Sequence, residues 1–282
     1  MAALLVMTMA AAPAVALEPE TASGASAPEG RPAPPPRRSA REAARTFVED
    51  GRYLFTFPRR VTRKGAWTAA AVVAGTVILI GRDDEIRREV VEDPDDARDR
   101  LAGRIEPLGK HWVAAGGLAA AWMAGRAGRS ERLTSASASA FEAFLWTTVI
   151  TSAAKGAFGR ERPADGADHH GFWEGETIFP SGHTARSFAV AAVFADRYGR
   201  PAAWIGYPLA ALVGLSTVQE DTHWASDILA GAGLGLAIGK GIAGRPPGPG
   251  RPPGPGSAGP RGGRIDWQID PLPGGLGVRA AF

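Results

Sequence analysis

Six apolar stretches recur along the chain, at about Ala66–Ile80, His111–Ala124, Ala136–Ala154, Thr184–Ala195, Pro201–Leu215 and Trp224–Ile238, and no other feature constrains its fold as much. Each is long for a strand, and in most of them Ala, Leu and Gly outweigh β-branched residues, so each reads as a helix. Joined by polar loops they imply an all-α fold, a six-helix bundle. Most run 12 to 19 residues, short of the roughly 20 that a bilayer core requires, and the third contains Glu142. The loops tip the balance. Arg59, Arg60, Arg63 and Lys64 precede the first stretch; Arg126, Arg129 and Arg132 fill the second loop; Arg197 and Arg200 fill the fourth; Lys240 and Arg245 follow the sixth. The first loop ("RDDEIRREVVEDPDDARDR") is acidic, and the fifth carries Glu220 and Asp221. That alternation fits a membrane-embedded, six-span bundle with its basic loops in the cytoplasm.

The chain ends read differently. Residues 1–16 ("MAALLVMTMAAAPAVA") are apolar and finish on Ala14-Val15-Ala16, the small-x-small pattern of a signal peptide, although a basic start is missing; the other reading is a short N-terminal anchor. Either places the chain in a bacterial cell envelope. A cleaved signal would leave Arg59–Lys64 outside, so an uncleaved N-out anchor, or a bundle that is exported and only membrane-associated, is needed to reconcile the two patterns. Residues 17–60 form a Pro-rich disordered linker, 61–242 the helical domain, and 243–282 a Pro/Gly-rich tail that opens on "RPPGPGRPPGPG" and closes on a possible-strand pattern, "RIDWQIDPLPGGLGVRAAF". With no cysteine, disulfides, thiolate metal sites and Cys nucleophiles are excluded. A net charge of only +3, without a basic stripe interleaved with aromatics, argues against a nucleic-acid partner.

Three short motifs fall in loops that open on one face of an antiparallel bundle. "KGAFGRERP" holds Lys155, Arg160, Arg162 and Pro163; "FPSGHTARSF" places Ser181, Gly182 and His183 just before a helix; "LSTVQEDTHWASD" holds Ser216, His223 and Asp227. Together they read as an oxyanion site with two histidines. Lys155 and Arg162 supply positive charge, and the Arg fork suits phosphate oxygens. Ser181 and Gly182 lie where free backbone N–H groups favour an anion. Asp227, four residues after His223, can accept one imidazole N–H and leave the other ring nitrogen to attack or to accept a proton.

K-x6-RP, PSGH and S-x-x5-H-x3-D resemble the three-part signature of the type-2 phosphatidic acid phosphatase and vanadium haloperoxidase superfamily, over about residues 61 to 242. The resemblance implies a helical bundle and metal-independent hydrolysis of a phosphomonoester or pyrophosphate. Carried over, His223 is the nucleophile that forms a phosphohistidine, Asp227 orients it, and His183 protonates the leaving oxygen. Lys155, Arg162, Ser181 and Gly182 hold the phosphoryl oxygens. One position departs: the family's Arg after the Ser is Thr217 here. Thr217 could donate a hydroxyl hydrogen bond instead, and Arg186 or Arg160 could supply the charge.

The expected substrate is a lipid-linked phosphate or pyrophosphate, met among membrane lipids with the site facing the periplasm. The competing expectations are a soluble-substrate acid phosphatase or vanadate-dependent haloperoxidase, and a catalytically silent membrane scaffold. No cofactor is implied, and no metal site stands out; His169–His170 reads as a solvated loop pair. The sequence is silent on oligomeric state.

Overall fold

The structure, a computed structural model, describes residues 40–56, 62–91, 95–165, 171–173, 178–245, 266–272 and 275–281. The signal or anchor at 1–16, the linker to residue 39, His169–His170 and the proline-glycine repeat after Arg245 lie outside them. Nine α-helices are described: α1 (Ala40–Phe55), α2 (Arg63–Ile80), α3 (Asp83–Val91), α4 (Asp96–Gly109), α5 (His111–Ala127), α6 (Glu131–Phe158), α7 (Gly182–Tyr198), α8 (Arg200–Gln219) and α9 (Ala225–Ala243). The six apolar stretches are α2 and α5 to α9. The acidic first loop is itself helical, as α3 and α4. Acids crowd their first turns (Asp83, Asp84 and Glu85; Asp96 and Asp99), where the helix dipole favours negative charge, and Asp95 caps α4 by accepting from Ala97 N and Arg98 N. In the tail, β1 (Asp266–Leu272) and β2 (Gly275–Ala281) pair antiparallel, Asp266 opposite Ala281.

Among the described residues three helices are long and apolar enough to cross a membrane: α2, α8 and α9. Along α2 only Thr76 is buried, while Trp67, Val73, Val77 and Ile78 are exposed; α8 likewise exposes Trp204, Ile205, Leu209, Leu212 and Leu215. An apolar surface of that extent suits lipid rather than water. Several polar groups inside the bundle find partners within it. Thr147 and Thr151 donate to carbonyls one turn back, Ala143 O and Thr147 O, each at 2.7 Å. Glu142 accepts from Arg245 Nη2 at 2.7 Å. Helix α1, which the sequence suggested was the end of the linker, stacks Phe47 on Trp146 of α6 with ring centroids 4.6 Å apart.

Helix α7 packs on α6, α8 and α9, and α9 runs parallel to it along a stripe of glycines. A Cβ on Gly231 would lie 2.6 Å from Ser181 O, and one on Gly235 or Gly239 closer still to Ala185 O or Ala189 O. Here backbone packs on backbone, which only glycine permits. Gly235→Ala is expected to lower stability by roughly 1–3 kcal/mol, because a main-chain carbonyl has to move. Gly117→Ala on α5, with nothing within 4 Å of the new methyl, should leave the melting temperature in detergent unchanged or raise it. Equal melting of the two variants would contradict this packing.

Candidate active site

The α8–α9 connection is pinned at several points. Thr217 O accepts from Thr222 N at 3.0 Å and His223 N at 3.2 Å, and Asp221, at φ 55, is gripped by Arg87 of α3 through Nε at 2.6 Å and Nη2 at 2.5 Å. This fold-back buries His223 and brings its Nδ1 to 3.2 Å from Asp227 Oδ2. A carboxylate only accepts, so Nδ1 carries the proton of this contact, and in the neutral imidazole it is Nε2 that holds the lone pair. Asp227 Oδ2 also accepts from Trp224 N at 3.1 Å, the helix-entry bond of an acid at the third helical position.

Behind Asp227 lies a buried ionic chain. Arg160 Nη1 donates to Asp227 Oδ1 at 2.5 Å and to Ser226 Oγ at 2.6 Å, and Nη2 donates to Asp83 Oδ2 at 2.8 Å. Asp83 further accepts from Ser226 N at 2.9 Å and Ser226 Oγ at 2.5 Å. The side chains of Asp83, Arg160 and Asp227 have no exposed surface. The guanidinium lies 4.7 Å from the Phe172 ring centroid and 5.3 Å from that of Trp224. Burial pushes the Asp83 carboxyl above its ordinary range, opposed by the hydrogen bonds from Ser226 and Arg160. Arg160, one of the cations the sequence offered in place of a missing phosphate ligand, is therefore committed to two carboxylates.

Helix α7 begins against the same corner. Ser181 N donates to Asp227 O at 3.1 Å, and Ser181 Oγ caps the helix, accepting from Thr184 N at 3.4 Å and Thr184 Oγ1 at 3.0 Å. Over Gly182 folds the side chain of Arg186: a Cβ there would sit 3.0 Å from its Nη1, so the glycine makes room for the guanidinium. His183 faces His223 with ring centroids 6.5 Å apart. Its pKa is held at about 4 by burial and then by the charges of Arg186, His223, Lys155 and Lys110. Glu106 of α4 stands 3.8 Å from His183 Nε2 but is already paired with Lys110 at 3.1 Å, so it does not reverse that effect. Lys155, at the end of α6, is lowered by burial and then by Arg186 and Arg162, with Asp227 opposing. Arg162 is exposed in the loop that follows.

The residues named from the motifs thus lie at one end of the bundle, at the ends of α6 and α8 and the starts of α7 and α9. Thr217 is buried, and its hydroxyl donates to Gly214 O at 2.7 Å, so it is spent on its own helix. Sequence reasoning missed Asp83, Ser226 and the role of Arg160. Asp83 sits in a run of acids that reads as solvated, and nothing local marks it as the partner of an arginine 77 positions away.

Comparison with known proteins bears on this corner. The family profile described as PAP2 superfamily matches residues 136–245. The chain is 39% identical over 94 residues to the lipid A 1-phosphatase of Porphyromonas gingivalis, a match covering 32% of this chain and 19% of that protein. The chain thus spans about a fifth of the length of this curated relative. The crystal structure of a transmembrane PAP2-type phosphatidylglycerolphosphate phosphatase from Bacillus subtilis superposes with a TM-score of 0.51 at 19% identity, over 62% of this chain and 94% of that one. At that identity the likeness concerns the fold.

Proposed function

We propose, on the premise that residues 136–245 belong to the PAP2 superfamily, that the chain is a metal-independent phosphatase that removes phosphate from a lipid-linked phosphate or pyrophosphate through a phosphohistidine. The observation that carries this reading is His223, nearly buried, with Nδ1 on Asp227, His183 beside it, and Lys155 and Arg186 close enough to depress the His183 pKa. Nε2 of His223 attacks phosphorus as the bond to the lipid oxygen breaks, and His183 delivers a proton to that oxygen. His183 is neutral while the cradle is empty and takes up its proton as the phosphoryl charge enters, since an anion reverses the effect of the surrounding cations. Water then attacks the phosphohistidine, His183 accepts its proton, and phosphate leaves. Lys155, Arg162, Gly182 N–H and the Ser181 hydroxyl hold the oxygens.

The exposed apolar helices support the lipid half of the reading. The basic residues Arg126, Arg129, Arg132, Arg197, Arg200, Lys240 and Arg245 lie at the helix ends remote from the site, which supports a site facing the periplasm. The test is phosphate release in detergent with EDTA present, comparing phosphatidate, a polyprenyl pyrophosphate and p-nitrophenyl phosphate. Release from a lipid that survives chelation supports the reading. Preference for the soluble ester overturns the lipid assignment, and loss on chelation overturns metal independence.

Arg186 takes the place in this cradle that Thr217 leaves open. Among the described residues no carboxylate pairs with it, and its Nε is buried without a partner. Arg186→Ala should slow turnover roughly 10- to 100-fold, the effect of losing a charge-assisted contact of about 1.5–3 kcal/mol. Thr217→Arg should not compensate, because it would bury a guanidinium where a hydroxyl now bonds its own helix. Full activity in Arg186→Ala would remove it from the cradle.

A further inference from the structure

We propose that Asp83, outside residues 136–245 and outside all three motifs, is a positioning residue for His223, acting through Arg160 and Ser226 to keep the Asp227 carboxylate anionic and fixed. The inference rests on the proposed reading in one respect, that His223 is the nucleophile.

The argument starts from charge. Arg160 lies between two carboxylates, Asp227 on Nη1 and Asp83 on Nη2, so the buried trio carries one net negative charge. Two of the donors on Asp83, the Ser226 N–H and the guanidinium, can only donate, which requires acceptor oxygens and fits the ionised carboxylate. Without that charge the guanidinium would be neutralised by Asp227 alone, and the trio would carry none. Asp227 would then offer its histidine far less negative potential, in a site whose low dielectric makes each charge count. Cations crowd the other sides, Lys155 from α6 and Arg186 from α7, with the neutral His183 beside them, while Glu106 beyond His183 is held by Lys110.

Asp83 also sets geometry. It binds both N and Oγ of Ser226, one residue before Asp227 in the first turn of α9. The turn that presents Asp227 is therefore anchored to the first turn of α3. The segment joining α2 to the rest of the bundle thus enters the catalytic corner as a support of the nucleophile.

The experiment uses the full chain in detergent, with Asp83→Asn and the double variant Asp83→Asn/Arg160→Gln. Two quantities are read: the acidic limb of the kcat/KM profile for phosphate release, and the pH at which the His223 ring titrates. The second is followed by NMR of 13C-labelled histidine and assigned by the signal missing in His223→Ala. In Asp83→Asn both should move to lower pH by about one unit, with kcat falling roughly tenfold, the loss of about 1.4 kcal/mol of transition-state stabilisation, and KM within about twofold. The double variant restores one net negative charge, so its titration should return toward that of the parent while kcat stays low. A folded Asp83→Asn protein whose His223 titrates as in the parent overturns the proposal, as does an unchanged kcat. Should Asp83→Asn fail to fold, the double variant decides: parent-like titration with low kcat supports the proposal, and parent-like kcat overturns it. If the parent itself releases no phosphate from any substrate, the phosphatase reading fails, and the ring titration still decides the case of Asp83.

Discussion

His223→Ala is expected to lower phosphate release by roughly 10³-fold or more, since covalent catalysis has no substitute for its nucleophile. On the proposed route the other groups persist in that variant: the cradle would still bind the phosphoryl oxygens and His183 would still stand at the leaving oxygen. KM should therefore change little while kcat collapses. Removing His183 removes only proton transfer, worth roughly 10²- to 10⁴-fold, and leaves the attack possible. The two variants separate in a trapping experiment. With a phosphate-labelled substrate, His183→Ala should still accumulate label on the protein, held in an acid-labile bond, and His223→Ala should hold none. Label retained by His223→Ala would assign the nucleophile elsewhere.

Arg160→Ala should be the most destabilising single change near the site. Asp83 and Asp227, both without exposed surface, would face each other with no cation between them. Removing one partner of a buried ion pair costs about 3–5 kcal/mol, and here one guanidinium serves two carboxylates and a hydroxyl. The aromatic contacts with Phe172 and Trp224 would be lost as well. Arg160→Lys should recover little, because one ammonium cannot span both carboxylates and Ser226 in the plane a guanidinium provides. Thermal melting in detergent reads the effect directly. If Arg160→Ala melts like the parent, the chain of contacts from Asp83 to His223 contributes nothing to stability.

Much of this architecture was legible in the sequence, and for a physical reason. Apolar stretches without β-branched dominance must bury backbone polar groups within themselves, so each of the six became a helix; Trp224–Ile238, for instance, lies almost wholly within α9. The charged run from Arg82 to Arg100 was not legible as α3 and α4. Helices whose first turns are acidic look like solvated loops when only apolar period is read. Helix α1 was hidden for a similar reason, since it follows a proline-rich stretch. In the site, motif residues carry their own local signal: Ser181 before a helix, His223 and Asp227 one turn apart. The ionic chain has none, because Asp83 meets Arg160 only once α3 has folded against the start of α9. The glycine stripe was visible as Gly231, Gly235 and Gly239 at every fourth position, yet its meaning depends on which helix it faces.

That stripe determines how the site responds to its solvent. The proposed phosphoryl cradle is divided between two helices, Ser181 to Arg186 at the start of α7 and the His223–Asp227 pair at the head of α9. Where side chains separate two helices, a thicker or thinner bilayer can be accommodated by rotamer changes that let the axes slide or tilt apart. Carbonyls resting on bare Cα atoms leave no such slack. A bilayer that tilts this pair is therefore expected to move α7 and α9 as one body, which would make the gap between the two imidazoles a property of the protein rather than of the membrane that surrounds it.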